Sequence, residues 1–178
     1  MARITVNETG THPLVLLTID QANANVANGY MPNANVLNVT CLQDVTITAS
    51  TGIYSYVDFC SKDINKLPTP ADNEVAMNVV IDPTAYFGNG TNSAAGRGLA
   101  YLSQNKVPCT FMVVWNYDAN IANITNGNIA NISNNNIYYS MGNCYVTNLA
   151  PTAAPDAPVW VTPITLAVDG TMYTTVAP

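Results

Sequence analysis

Charged side chains are scarce in this chain, and histidine is nearly absent. Asp, Glu, Lys and Arg make up 9% of the 178 residues, and the one histidine is His12. Catalytic sites and nucleic-acid-reading surfaces bring such groups together, whereas here they are spread thinly. His12 precedes Pro13 and has no partner motif, so we interpret it as an exposed or edge residue. The composition therefore favours a protein that acts through its surface.

Motifs for catalysis and cofactor binding are missing as well. The sequence contains no GxSxG nucleophile elbow, no Cys/His/Asn signature and no glycine-rich phosphate loop followed by lysine. A pair of catalytic carboxylates of the glycosidase type stays open, because the two need not be adjacent in sequence. Our expectation is a chain without enzymatic activity and without a cofactor.

Basic residues and long apolar runs are also few. Five Lys and Arg stand against 11 Asp and Glu, which gives a net charge of -6 and disfavours a tight grip on phosphate backbones. Modest acidity that only aids solubility is the other interpretation. The apolar run at residues 13–19 is too short to cross a bilayer, and we expect no signal segment because residues 1–6 show no long apolar stretch or cleavage site. We expect synthesis in a cytoplasm and no membrane partner.

Four cysteines are present without a metal-binding arrangement. Cys41, Cys60, Cys109 and Cys144 include no CxxC pair, and a single histidine adds little, so we expect no zinc site. One interpretation is four buried thiols that act as small hydrophobic side chains. The other is disulfides that form in an oxidising exterior, within or between subunits, with three pairings open in one chain.

Alternating apolar and polar residues indicate a mainly β fold. We predict two strands at 45–49 and 53–59 with Thr51-Gly52 as the turn between them, and a C-terminal hairpin that turns at Asp169-Gly170. Leu99 and Leu102 favour one short helix near residues 95–105. Further strands are predicted at 75–81, 107–117 and 159–168, and a leading strand precedes the Asn-rich loop near the N-terminus.

Two stretches depart from this pattern within what we interpret as a single domain over residues 1–178. Residues 61–73 carry two lysines and two prolines, and we predict a long loop there. Residues 120–137 contain an eight-residue Ile/Asn repeat that occurs twice, IANITNGN and IANISNNN. The repeat predicts either an extended excursion with a hairpin at Asn126-Gly127 or a low-complexity loop.

The order of these elements resembles the major tail tube protein of long-tailed bacteriophages. The resemblance lies in VTIT at 45–48 with residues 54–60, in GLAYLSQNK leading into VPCTFMVVW, and in the C-terminal VDGTMYTTV. It implies an antiparallel β-sandwich or partly open barrel with one flanking helix. It also implies a structural virion protein, made in the host cytoplasm, whose stacked hexameric rings form a conduit for DNA during ejection.

The resemblance further implies particular surfaces and partners. The loop at 61–73 is the candidate ring-stacking element, and Thr46 and Thr48 are candidate lumen-facing residues. Partners would be further copies of the chain, the tail sheath, terminator and baseplate proteins, and DNA in non-specific passage. Within the loop the candidate contact residues are Lys62, Asp63, Lys66, Pro68 and Pro70.

Two other structural roles fit the same composition. A capsid decoration protein or other virion component has similar Thr- and Asn-rich strands. A secreted pilus or adhesin subunit is also β-rich with cysteines.

Cross-linking by disulfides is most useful in an assembly that meets an oxidising medium.

Overall fold

A computed structural model describes residues 11–32, 36–39, 41–57, 63–90, 94–118, 137–154 and 159–176. The predicted hairpin at Asn126-Gly127, with residues 120–136 of the repeat, lies outside these ranges, and so do Cys60 and Lys62.

The described chain forms one antiparallel sheet with two helices beside it, which confirms the mainly β prediction. The sheet order is β2-β1-β5-β6-β7-β4-β3. Helices α1 (Pro83–Phe87) and α2 (Ala94–Gln104) follow one another between β4 and β5, and α2 occupies the helix predicted at 95–105. The strands are β1 (Thr11–Thr18), β2 (Leu37–Val39), β3 (Leu42–Tyr56), β4 (Asn65–Val80), β5 (Cys109–Asp118), β6 (Tyr138–Leu149) and β7 (Val161–Val176).

The sheet curls into a partly open barrel. Strands β2 and β3 are its opposite edges, yet only residues 40 and 41 separate them in sequence. The Cα atoms of Val39 and Leu42 therefore lie at most about 11 Å apart, whereas a flat sheet of this order would hold its edges about 29 Å apart. Among the described strands no ladder joins β2 to β3, so the barrel is not closed.

The inside of the curl holds the main hydrophobic core. Every strand contributes alternate side chains to it, and α2 adds Leu99 and Leu102, which lie three residues apart on its inward side. Burial of each large side chain contributes roughly 1.5–3 kcal/mol to stability. The fully or nearly fully buried members include Val15, Leu17, Val75, Met77, Phe111, Val113, Ile164 and Leu166.

A second, smaller core covers the other face of β1, β5 and β6. Leu16, Met112 and Met141 point into it, and Met31 from the segment after β1 closes it with no solvent exposure. These strands are thus buried on both faces, which explains the continuous apolar runs at 14–17 in β1 and 111–115 in β5.

Two predicted turns are wrong, because both dipeptides lie within continuous strands. Thr51-Gly52 lies inside β3, where a register shift against β4 marks a β-bulge. Asp169-Gly170 lies inside β7, and both halves of β7 pair with the same strand, β6, across another register shift. Gly170 has φ +79°, which suits a bulge as well as it suits a turn. A dipeptide such as Thr-Gly or Asp-Gly forms a hairpin turn only when the strand segments before and after it pair with each other.

The predicted loop at 61–73 is also wrong from Asn65 onward, since β4 begins there. Pro68 and Pro70 are tolerated because this half of β4 has a neighbouring strand on one side only, so one row of its N–H groups is not needed for pairing. Strand β6 was not predicted. Its Ser, Gly and Asn residues obscure the alternation, and its place between β5 and β7 comes from packing.

The backbones of Gly88, which follows α1, and Gly98, within α2, approach each other closely. Gly98 has φ +71° and ψ 165° and interrupts α2. A Cβ atom on Gly98 would lie 2.5 Å from the backbone nitrogen of Gly88, so the approach of α1 to α2 requires glycine at this position.

We expect Gly98→Ala to destabilise the protein by roughly 2–5 kcal/mol, because it adds backbone strain and a steric clash. Gly90→Ala is the matched control, since Gly90 also has positive φ (+85°) but no atom within 4 Å of its Cβ position. The free energy of unfolding of that variant should fall by about 1 kcal/mol. Urea unfolding followed by circular dichroism measures both, and equal losses would contradict the role of the close approach.

Candidate functional site

A two-stranded arm projects from the sheet. Strand β4 pairs with β7 only between residues 74 and 80, whereas its ladder with β3 continues to Tyr56 opposite Asn65. Among the described strands, residues 49–56 of β3 and 65–73 of β4 pair only with each other, and we call them the arm. Nine residues of strand extend about 30 Å.

The arm carries exposed apolar side chains on both of its faces. Tyr54 is 61% exposed and lies opposite Leu67, which is 52% exposed; Ile53, at 62%, lies opposite Pro68 on the other face. The rings of Tyr54 and Tyr56 stack with centroids 6.1 Å apart. Val57 and Ile64 at the outer end are exposed as well.

Such an arm is poorly stabilised by its own contacts. A two-stranded hairpin without a covered face is marginally stable in water, and a contiguous exposed apolar patch marks an interaction site. Within the described part of the chain, nothing packs over these side chains. These side chains are therefore accessible to a partner surface.

The structure brings several of the predicted stacking residues together on this arm. Lys66, Pro68 and Pro70 lie on β4, and Asp63 precedes the strand. The apolar residues of the arm were missed as a site. The alternation at 53–57 indicates a strand with two different faces, but it does not indicate that both faces are exposed.

The outer face of β3, β4 and β7 forms a polar surface. Thr46 lies opposite Ala76, and Thr48 opposite Glu74. Ala76 in turn lies opposite Thr165 on β7. Both predicted lumen-facing threonines are exposed on this surface, while the intervening residues point into the core.

The charges on this surface are acidic. Asp44 accepts hydrogen bonds from the backbone and side-chain nitrogens of Asn78, at 3.1 and 2.8 Å, and so is held across the β3–β4 ladder. Lys106 borders the surface beyond Ala167, where both line one hollow. The side chains on the polar surface are Asp44, Thr46, Thr48, Glu74, Ala76, Asn78, Pro163, Thr165 and Ala167.

The edges of the sheet differ greatly in length. Strand β3 forms one edge with 15 residues, and β2 forms the other with three. A long edge strand presents backbone N–H and C=O groups that can pair with another chain. Among the described strands, β3 has one neighbour only.

The cysteines occupy two kinds of environment. Cys41 is exposed, whereas Cys109 and Cys144 are buried free thiols. Burial raises the pKa of Cys109 to about 12. Burial also raises the pKa of Cys144, and the neighbouring Cys109 adds to the effect. Because both are buried inside the fold, neither can link two subunits. Cys60 lies outside the described residues.

An aromatic groove lies between the two helices. Its volume is about 610 Å³, and Phe87 and Tyr101 line it with 62% and 41% exposure. The Arg97 guanidinium lies 5.0 Å from the centroid of the Tyr101 ring, a cation–π distance.

Neither a metal-binding cluster nor a membrane-spanning helix is found in the described ranges. No cluster of three His, Cys, Asp or Glu residues there is arranged to hold a metal ion. The helices found in those ranges are too short and too polar to cross a membrane.

The fold is similar to that of solved tail tubes. No family model and no curated protein matches the sequence. The SPP1 tail tube superposes with a TM-score of 0.54 at 13% identity, over 97% of this chain and 80% of that one. A sheath/tube terminator of an extracellular contractile injection system gives 0.52 at 12% identity, over 97% and 99%. This chain has the tail-tube fold.

A third neighbour extends the comparison to another kind of particle. The tail of an empty gene transfer agent particle, computed with C6 symmetry, superposes with a TM-score of 0.52 at 10% identity. The match covers 90% of this chain and 95% of that one. The tail-tube fold thus spans nearly the whole sequence, and the similarity lies in the structure rather than in the residues.

We expect the apolar side chains of the arm to contribute little to the stability of the isolated chain. Leu67→Ala should change the free energy of unfolding by about 0.5 kcal/mol or less. Leu166→Ala, the same substitution at a fully buried strand position, should cost roughly 2–5 kcal/mol. Chemical denaturation of the two variants at low protein concentration measures the difference, and similar losses would mean that the arm is packed.

Proposed function

We propose that the chain is a structural subunit of a tail tube, in which copies close into hexameric rings and the rings stack. The observation that carries this proposal is the arm, whose apolar side chains are exposed on both faces and lack cover in the described chain. The tail-tube fold supports it, as does the C6 symmetry of the gene transfer agent tail. The role is structural, and no catalytic step is part of it.

The arm is the ring-stacking element in this proposal. It extends about 30 Å beyond the sheet, far enough to lie against the body of a copy in the next ring. Burial of Ile53, Tyr54 and Leu67 there would remove their exposed surface from water, at roughly 25 cal/mol for each Å² of apolar area. Lys66 beside them would set the orientation through charge.

Ring closure uses the open edge of β3. Its unpaired backbone groups can hydrogen-bond to a strand of the neighbouring copy, which satisfies the edge and joins the sheets. Because the same contact repeats head to tail, rotation about one axis closes it into a ring.

The polar surface faces the lumen. Thr46, Thr48 and Glu74 lie on the face of β3 and β4 opposite the core that α2 covers. Threonine hydroxyls carry no charge and carboxylates repel phosphates, so this surface gives passing DNA no cationic grip. The helices then lie on the outer side of the tube.

The location and partners follow from this arrangement. The subunit is made in the host cytoplasm and resides in the virion tail. Terminator and baseplate proteins would bind the two ends of the tube. A sheath, where one is present, would contact the outer side, where the groove lined by Phe87 and Tyr101 lies.

We expect Ile53→Asp combined with Leu67→Asp to abolish tube formation, because two charges would be buried without partners at the stacking contact. Negative-stain microscopy and sedimentation should show at least a tenfold loss of tubes, with thermal stability of the monomer unchanged. Phe87→Asp is the matched control, since Phe87 is equally exposed but lies on α1.

Tubes of normal length from the double variant would remove the arm from the stacking contact. If the unaltered protein stays monomeric at high concentration, the tube proposal itself fails. Trimers alone would favour a capsid decoration protein, and thin fibres a pilus subunit.

We expect Thr48→Lys to make assembled tubes retain DNA, since each ring then carries a circle of lysines in the lumen. Co-sedimentation of short duplex DNA with tubes should rise several-fold at low salt and fall at high salt. Gln104→Lys places the same charge on α2 and should leave retention unchanged. Equal retention by both variants would place Thr48 outside the lumen.

A further inference from the structure

Cys109 and Cys144 occupy directly opposed positions in the sheet. They are Cα partners in the β5–β6 ladder. Opposed residues of an antiparallel ladder have Cα atoms about 4.5 or 5.5 Å apart, and both spacings fall within the range of disulfides, which is about 4.4–6.8 Å. Opposed side chains also point to the same face.

Both sulfur atoms share one environment. Each cysteine has no solvent exposure, and both belong to the main core. The Cys109 thiol donates a hydrogen bond to the carbonyl oxygen of Val107 at 3.3 Å. The influence of Cys109 on the pKa of Cys144 is a second sign that the two sulfurs are neighbours.

We propose that Cys109 and Cys144 close an intramolecular cross-strand disulfide when the chain folds in an oxidising medium. The bond joins β5 to β6 and links two cysteines that are 35 residues apart in sequence. It requires no second copy of the chain, so it is independent of tube assembly.

The reaction balances with a small-molecule disulfide as the oxidant. One cysteine thiolate attacks oxidised glutathione, which releases one glutathione thiolate and leaves a mixed disulfide. The second cysteine thiolate then attacks the sulfur of the first cysteine and expels the second glutathione. The two cysteine sulfurs lose two electrons and two protons in total, and both glutathione products take them up as thiols.

Burial controls when the bond forms. Only a thiolate attacks, and with a pKa of about 12 the Cys109 thiol is ionised in roughly one molecule in 10⁵ at pH 7. The folded, reduced protein should therefore oxidise slowly, whereas a folding chain, with its thiols still in water, should oxidise readily.

Refolding of the full chain from urea in a buffer of oxidised and reduced glutathione tests the proposal. Urea that contains N-ethylmaleimide then unfolds the protein and blocks every free thiol, the buried ones included, and peptide mass mapping identifies the pairs. In urea, the Cys41–Cys60 bond should form roughly two- to threefold more often than the Cys109–Cys144 bond, because it closes a shorter loop of unfolded chain. In the refolded protein the Cys109–Cys144 pair should dominate at least tenfold, and the midpoint of thermal unfolding should rise by roughly 8–15 °C.

Two double variants serve as controls. Cys41→Ala with Cys60→Ala should still form the bond and gain the same thermal shift, whereas Cys109→Ala with Cys144→Ala should gain nothing from the oxidant. The proposal is overturned if refolded protein carries Cys109 and Cys144 as maleimide-blocked thiols or in bonds to other partners. The first variant retains both core cysteines, so this test stands even if the second variant does not fold.

Discussion

Burial of strands β1, β5 and β6 on both faces is the constraint around which the rest of the structure is arranged. Phe111 and Val113 point into the main core, while Met112 and Val114 point into the second one. A shift by one residue would exchange every side chain between two close-packed cores of different shape. Their register is therefore fixed, and it fixes the positions of β7 and β4 beyond them.

Strand pairing and burial decline with distance from that centre. Strand β4 has β7 as a neighbour for seven residues and then continues with β3 alone. From there outward the fold buries little apolar surface, yet Ile53, Tyr54 and Leu67 are large and apolar. Large apolar side chains that are exposed together on a two-stranded arm are the physical basis for the proposed assembly.

Parity along the strands separates the functional surfaces from the core. Val45 and Ile47 pack inward, so Thr46 and Thr48 must face outward. That much follows from alternation in the sequence, and the structure places the two threonines where alternation predicts. What these threonines face in an assembly depends on the neighbouring copies, which is why their assignment to the lumen remains a proposal.

The sequence by itself determined the β class, the short helix around Leu99 and Leu102, and the inward side of residues 45–47 and 75–79, since these depend on local periodicity. Only the tertiary structure decided whether Thr51-Gly52 and Asp169-Gly170 turn or bulge, because that depends on which distant strand lies alongside. The same holds for β6, whose Ser140, Gly142 and Asn143 form a strand because β5 and β7 pair with it on both sides. The tertiary structure also decided that Cys109 lies opposite Cys144, because packing sets the register between distant segments and no local sequence pattern encodes it.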